Sequence, residues 1–197
     1  MRFYRHNDNN AISETFADSF ASVFTDDDGN LPPLTTPAVS SIPIIFDSKG
    51  VLKQLTILDP RKGAGPDELS PALLKFLGPY MYETLTKVFQ YFYDSASTPF
   101  DWRSANVVPL FKKGSRSNPL NYRPISLTSI VSKVFEHVVS HNINNFLEAN
   151  SLLYENQHGF RTKHGCDTQL LNTVTEFIDY FDELIPIDIA VLDFSKA

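Results

Sequence analysis

Four prolines fall between Asp26 and Pro43, among Asp, Gly, Ser and Thr residues, with Leu31-Pro32-Pro33-Leu34-Thr35-Thr36-Pro37 at their centre. Each proline locks its own φ and lacks an N–H, so no regular helix or interior strand passes through. The stretch reads as a linker and sets a boundary in the 197-residue chain. Residues 1–47 form a connector with one helix, and residues 48–197 form a second part large enough for its own core. In the connector, Phe16, Phe20, Val23 and Phe24 recur at helical spacing behind Ser13, which predicts a helix over 13–24 with Ser13 as its N-cap.

Beyond the linker the periodicity is mostly helical, interrupted once by strand patterns. A short helix from Ser48 turns Val51, Leu52, Leu55 and Leu58 inward. Gly63-Ala64-Gly65-Pro66-Asp67 is a turn, since it lacks the Lys-Ser/Thr of a phosphate-binding P-loop and the spacing of a dinucleotide fingerprint. Ser70-Pro71 is a helix start, a hydroxyl cap followed by proline at the first helical position. That helix is expected to break at Gly78-Pro79 and resume from Met81 to about Tyr93, with Phe89, Tyr91, Phe92 and Tyr93 read as core and rim. Ala105 to Phe111 and Asn121 to Leu127 are strand-like and flank Lys112-Lys113-Gly114-Ser115, which predicts an antiparallel hairpin with a loop of eight to ten residues. Two amphipathic helices follow. The first runs over about 129–149, with Ile130, Val134, Phe135, Val138, Ile143 and Phe146 inward; the second covers 167–184, with Leu170, Leu171, Val174, Phe177, Ile178 and Phe181 inward. The run Ile189 to Leu192 then has the continuous apolar character of a buried strand, closed by Asp193. The fold class is therefore α+β, mostly helical with a basic hairpin.

Composition narrows the function classes without selecting one. No apolar run approaches the roughly 20 residues of a membrane helix, and the opening Met1-Arg2-Phe3-Tyr4-Arg5-His6 lacks the apolar stretch of a signal peptide. The single cysteine, Cys166, excludes an internal disulfide framework and fits a reducing, intracellular compartment. Net charge is −6, yet from Trp102 to Phe135 there is no acid at all, while Arg103, Lys112, Lys113, Arg116, Arg123 and Lys133 are basic. A solvated basic hairpin and a phosphate-facing element both fit that pattern, and charge alone leaves both open.

Candidate chemistry is sparse. Asp193, at the end of an apolar strand, suits a hard-oxygen ligand for a divalent cation, and equally suits a strand-end carboxylate satisfied by backbone N–H groups. His137 and His141 share a helix face, but Val138 stands where a zinc protease carries Glu, and His158, His164 and Cys166 lack paired metal-ligand spacing. Gln157-His158-Gly159-Phe160-Arg161 is unusual for a plain connection; Gly159 suggests an uncommon backbone angle or a close approach.

In order along the chain, four blocks resemble the reverse transcriptases of non-LTR (LINE-type) retrotransposons: Trp102 to Gly114, Asn121 to Leu127, Gln157 to Arg161, and Leu192-Asp193-Phe194-Ser195-Lys196-Ala197. Gly65-Pro66-Asp67 with Pro71 to Lys75 resembles the segment that enters that family's fingers, so the likeness covers residues 48–197. It implies the fingers and the beginning of the palm of a right-hand polymerase. Lys112, Lys113 and Arg123 then match the positions that meet the incoming triphosphate, and Phe194, Ser195 and Ala197 lie beside the nucleotide. Gln157, Gly159, Phe160 and Arg161 match a motif near the template. Asp193 matches the first metal-binding and catalytic aspartate, holding Mg²⁺ in the complete polymerase. The implied partners are an RNA template, a DNA primer and dNTPs, with assembly in the cytoplasm and action in the nucleus; nothing bears on oligomeric state.

The family pattern continues past Ala197 with an aromatic-Asp pair and a later Tyr/Phe-x-Asp-Asp hairpin, and one carboxylate cannot hold two metals. The 197-residue chain alone is therefore expected to lack polymerase activity and to leave its last strand without partners. A catalytically dead binding remnant and a group II intron-type reverse transcriptase are the neighbouring alternatives.

Overall fold

The computed structural model describes residues 8–24, 29–30 and 43–192 and divides the chain between Ser140 and His141 into two compact units. Each is taken by itself. Among the described residues there are five α-helices and one two-stranded antiparallel sheet, an α+β composition in agreement with the sequence.

In the first unit, helix α1 is Asn9–Ala21, earlier than its pattern suggested. Asp8 caps it, its carboxylate accepting from the Asn10 N–H at 3.0 Å, and the expected cap Ser13 instead donates its hydroxyl to the Asn9 carbonyl inside the helix. Asp8, in extended backbone, takes the cap position, and this moves the start of the helix upstream. Helix α2, Ser48–Thr56, is capped by Asp47 and buries Val51 and Leu55. Helix α3 runs unbroken over Pro71–Asp94 from its Ser70 cap, with Pro79 inside it. This corrects the expected interruption at Gly78-Pro79. Pro79 removes one intrahelical bond, but Lys75 and Pro79 are both exposed, so water can satisfy the freed carbonyl. Gly78 serves the packing instead. A Cβ there would stand 3.1 Å from Leu55 Cβ, so glycine allows α2 and α3 to approach.

The core of this unit gathers Phe46, Val51, Leu55, Leu74, Leu85, Phe89, Ile130, Val131, Val134 and Val138. At its centre the rings of Phe46, Phe89, Trp102 and Phe135 meet with centroids 5.4–5.9 Å apart. Phe89 is fully buried, as its reading as core requires, whereas Tyr91 is exposed. Gln90 fastens the entering segment to α3, its Oε1 accepting from the Phe46 N–H at 3.0 Å and its Nε2 donating to the Ile44 carbonyl at 3.2 Å. Strands β1, Ala105–Phe111, and β2, Tyr122–Thr128, form the expected hairpin, and α4, Ile130–Ala149, leaves it directly.

The second unit holds the end of α4, a looped segment, and α5, Cys166–Asp182. Helix α5 starts where Thr168 turns back on Gly165, its Oγ1 accepting from the Gly165 N–H and donating to the Gly165 carbonyl, both at 2.9 Å. Its expected inward face is open: Leu170, Leu171, Val174, Ile178 and Phe181 are exposed, as is Ile143 on α4. The expected strand at 189–192 is also absent. Residues 185–192 carry no regular structure, and Ile189, Val191 and Leu192 face solvent. A buried strand exists only against neighbours that pair its backbone and cover its faces, and no described segment does either. Asp193 and the residues after it lie outside the described residues.

Candidate nucleic-acid interface

The β1–β2 hairpin concentrates the chain's unbalanced positive charge. Its register pairs Leu110 with Arg123, Pro109 with Pro124 and Val108 with Ile125. The Lys112 N–H donates to the Asn121 carbonyl at 2.8 Å, which carries the ladder one pair past the strand ends. Hydrogen-bonded and non-hydrogen-bonded pairs alternate along an antiparallel ladder. Counting back from Lys112 and Asn121, the facing prolines fall at a non-hydrogen-bonded pair, so their missing N–H groups point outward and the ladder loses nothing. By strand alternation Lys112 and Arg123 share one face with Val108, Leu110 and Ile125, while Phe111 and Tyr122 share the other.

The ten-residue loop between the strands, 112–121, is held from within. Gly114 sits at φ +90°, an angle that favours glycine, and a Cβ there would come within 2.7 Å of Asn121 Nδ2 and displace that side chain. Asn121 Nδ2 donates to the Ser115 carbonyl and the Tyr122 hydroxyl donates to the Arg116 carbonyl, each at 2.9 Å. Arg116 lies over the Phe111 ring at 4.8 Å, and Asn118 caps the 3₁₀ turn Pro119–Asn121. Behind the loop, Phe16 of α1 meets the Tyr122 ring edge-on at 4.8 Å. Lys112, Lys113 and Arg123 are left exposed, and among the described residues none of them has an acidic partner. A fixed loop carrying unneutralised cations is suited to an anion with several oxygens.

The base of the hairpin is locked by residues that sequence reasoning treated as a simple turn. A Cβ on Gly65 would overlap the Thr128–Ser129 backbone at 2.5–2.6 Å, so only glycine lets this segment lie against the β2–α4 junction. There Asp67 Oδ2 accepts from the hydroxyl of Ser129 at 2.6 Å, and Ser129 is fully buried. The Gly-Pro-Asp turn was visible in the sequence; its distant partner was not.

The second cluster lies in the second unit. His158 is buried, with Nδ1 2.6 Å from Thr168 Oγ1 and Nε2 3.3 Å from Asn172 Nδ2. The Thr168 hydroxyl proton is already donated to Gly165, so the network assigns His158 as donor at Nδ1 and acceptor at Nε2. Arg161 turns inward. Its Nε and Nη2 donate to the two carboxylate oxygens of Glu148 at 3.0 and 2.8 Å, and Nη1 donates to the Tyr154 carbonyl at 3.0 Å. Those bonds hold the Glu148 carboxyl below the ordinary glutamate value, and the same hydrogen bonds raise the Arg161 guanidinium further. Gln157 and Phe160 are exposed. The expected backbone role of Gly159 does not materialise: a Cβ there would meet nothing within 4 Å, and the left-handed residues are Phe160 and Lys163, at φ 59° and 63°.

No protein-family model matches the chain. Among curated proteins it is 32% identical over 122 residues to a probable RNA-directed DNA polymerase from the transposon X-element of Drosophila melanogaster. It is 26% identical over 169 residues to the probable RNA-directed DNA polymerase from transposon BS, and 26% identical over 143 residues to the RNA-directed DNA polymerase from mobile element jockey, both of the same organism. These matches cover 61%, 85% and 72% of the chain. By sequence, the chain is similar to these transposon RNA-directed DNA polymerases. It spans a small part of them, 13%, 19% and 16% of their respective lengths.

The hairpin and the 154–163 loop are the two places where predicted site residues stand on described structure. They belong to separate units. Asp193, Phe194, Ser195 and Ala197 lie outside the described residues. Among the described residues no group of three or more His, Cys, Asp or Glu side chains could hold a metal ion, and no helix is long and apolar enough to cross a membrane.

Proposed function

We propose that this chain is the nucleotide- and template-handling front of an RNA-directed DNA polymerase, the fingers and the beginning of the palm of a right-hand architecture, with residues 1–47 as the connector ahead of it. The observation that carries the reading is the hairpin: three exposed cations, Lys112, Lys113 and Arg123, on a loop braced by its own hydrogen bonds. Arg123 offers a planar fork to paired phosphate oxygens, and the two lysines act as point charges. Pre-organisation matters because a loop that is already ordered gives up little conformational entropy when a triphosphate binds.

In the complete polymerase, Mg²⁺ would supply charge neutralisation and activation for attack of a primer 3′-hydroxyl on the α-phosphate. Asp193 would furnish one of its carboxylates. Within this chain the work is binding and orientation. The hairpin holds the triphosphate and the Gln157–Arg161 loop lies along the RNA template. Assembly with RNA in the cytoplasm and use at chromosomal DNA follow from the same reading.

The test is binding of a fluorescent deoxynucleoside triphosphate to the 197-residue chain and to its K112A/K113A/R123A variant. Loss of three charge-assisted contacts should weaken binding at least tenfold with the far-UV spectrum unchanged. Equal affinity of the two proteins would exclude the hairpin as the triphosphate site.

A further inference from the structure

Resting on the template reading just proposed, we infer that the 154–163 loop presents Phe160 as a stacking platform for an unpaired RNA base, and that Arg161 positions it without touching a phosphate. The motif by itself suggests the reverse, because an arginine is the obvious phosphate ligand. The geometry removes it from that role. Its guanidinium is paired with both Glu148 oxygens, and Nη1 also reaches the Gln157 carbonyl at 3.4 Å and the Glu155 carbonyl at 3.5 Å, beside that of Tyr154. Its side chain is only 13% exposed. The charge is neutralised, and each of the three guanidinium nitrogens already donates within the loop or to Glu148.

Phe160 stands in the opposite condition. It is fully exposed, and it sits at φ 59°, a left-handed angle that is unfavourable for a residue with a Cβ. Strained backbone persists where its surroundings over-determine it. Here the following residue is anchored to α4 through Glu148, and His158, two residues earlier, is buried against Thr168 and Asn172 of α5. Between two fixed points the chain turns outward and leaves a phenyl ring in water. An aromatic face on a rigid support accepts any base without sequence preference. Lys163, exposed three residues on, adds a cation for the adjoining backbone.

The experiment is fluorescence anisotropy of the 197-residue chain with a labelled 16-nucleotide oligo(A) RNA over a range of KCl concentrations. F160A should bind about tenfold more weakly with an unchanged slope of log affinity against log salt, and F160W should bind as the wild type does. E148Q separates the two roles of Arg161 by sign. If Arg161 only positions Phe160, freeing it from Glu148 loosens the loop and weakens binding, although a negative charge has been removed. If Arg161 were a phosphate ligand, E148Q would bind more tightly, and R161Q would lower the salt slope by about 0.7. Either of those results, or an F160A protein equal to wild type, overturns the inference alone. A wild-type chain that binds no RNA overturns the template reading and this inference with it.

Discussion

Gly65 and Asp67 carry none of the hairpin's cations, yet the hairpin's placement depends on them. Alanine at position 65 would drive a methyl group into the Thr128–Ser129 backbone, which cannot retreat as a flexible side chain would. G65A is expected to destabilise the first unit by about 1–3 kcal/mol, read as a shift of the urea midpoint. D67A leaves the buried Ser129 hydroxyl without its acceptor, for a loss of about 1–3 kcal/mol. Glu148 carries a pH dependence whose sign follows from its depressed carboxyl. The Arg161 pin is complete above the ordinary glutamate value of 4.5 and disappears as pH falls through the lower folded value. Amide protection in residues 154–163 should therefore fall on acidification below that ordinary value, and E148Q should show no such step. Protection that stays level through that range in the wild type would mean the pin does not order the loop.

At the scale of elements, much was legible because local pattern and local chemistry agreed. The hairpin is signalled by the strand-like segments Ala105 to Phe111 and Asn121 to Leu127 on either side of the Lys-Lys-Gly turn, and α2, α4 and α5 by their apolar periods. What local pattern missed was decided by partners. Pro79 suggests a break, but α3 continues because the packing of Leu74, Leu85 and Phe89 outweighs one lost hydrogen bond. The stretch 189–192 reads as a buried strand and is none, since no described segment pairs with it. Helix α1 looked like an isolated connector helix, yet Phe16 rests on Tyr122, whose hydroxyl holds the loop at Arg116. F16A should therefore raise amide exchange in 114–117 and weaken triphosphate binding several-fold while α2 and α3 keep their protection. Unchanged exchange in that loop would show that the ring contact does not brace it.

For the molecule as a whole, the cations of the candidate site were readable because charge is a property of composition, and an acid-free stretch of 34 residues stands out. The role of Arg161 was not readable, because Glu148 lies thirteen residues away and only the fold brings it near. The open face of α5 and the irregular 185–192 segment place apolar side chains in water, and the matched curated relatives extend far beyond the region this chain shares with them. With one candidate metal-binding carboxylate, the purified 197-residue chain should give no extension of an oligo(dT) primer on poly(A) with Mg²⁺ and dTTP; robust extension would refute the assignment of Asp193 as one of several required ligands.

Whether the hairpin holds the nucleotide can be read directly by photo-crosslinking an azido-deoxynucleoside triphosphate to the whole chain and mapping the labelled peptides. An adduct within Lys112–Arg123 that unlabelled dNTP competes away is the expected result. An adduct confined to other segments, or one that the competitor leaves untouched, would contradict the assignment.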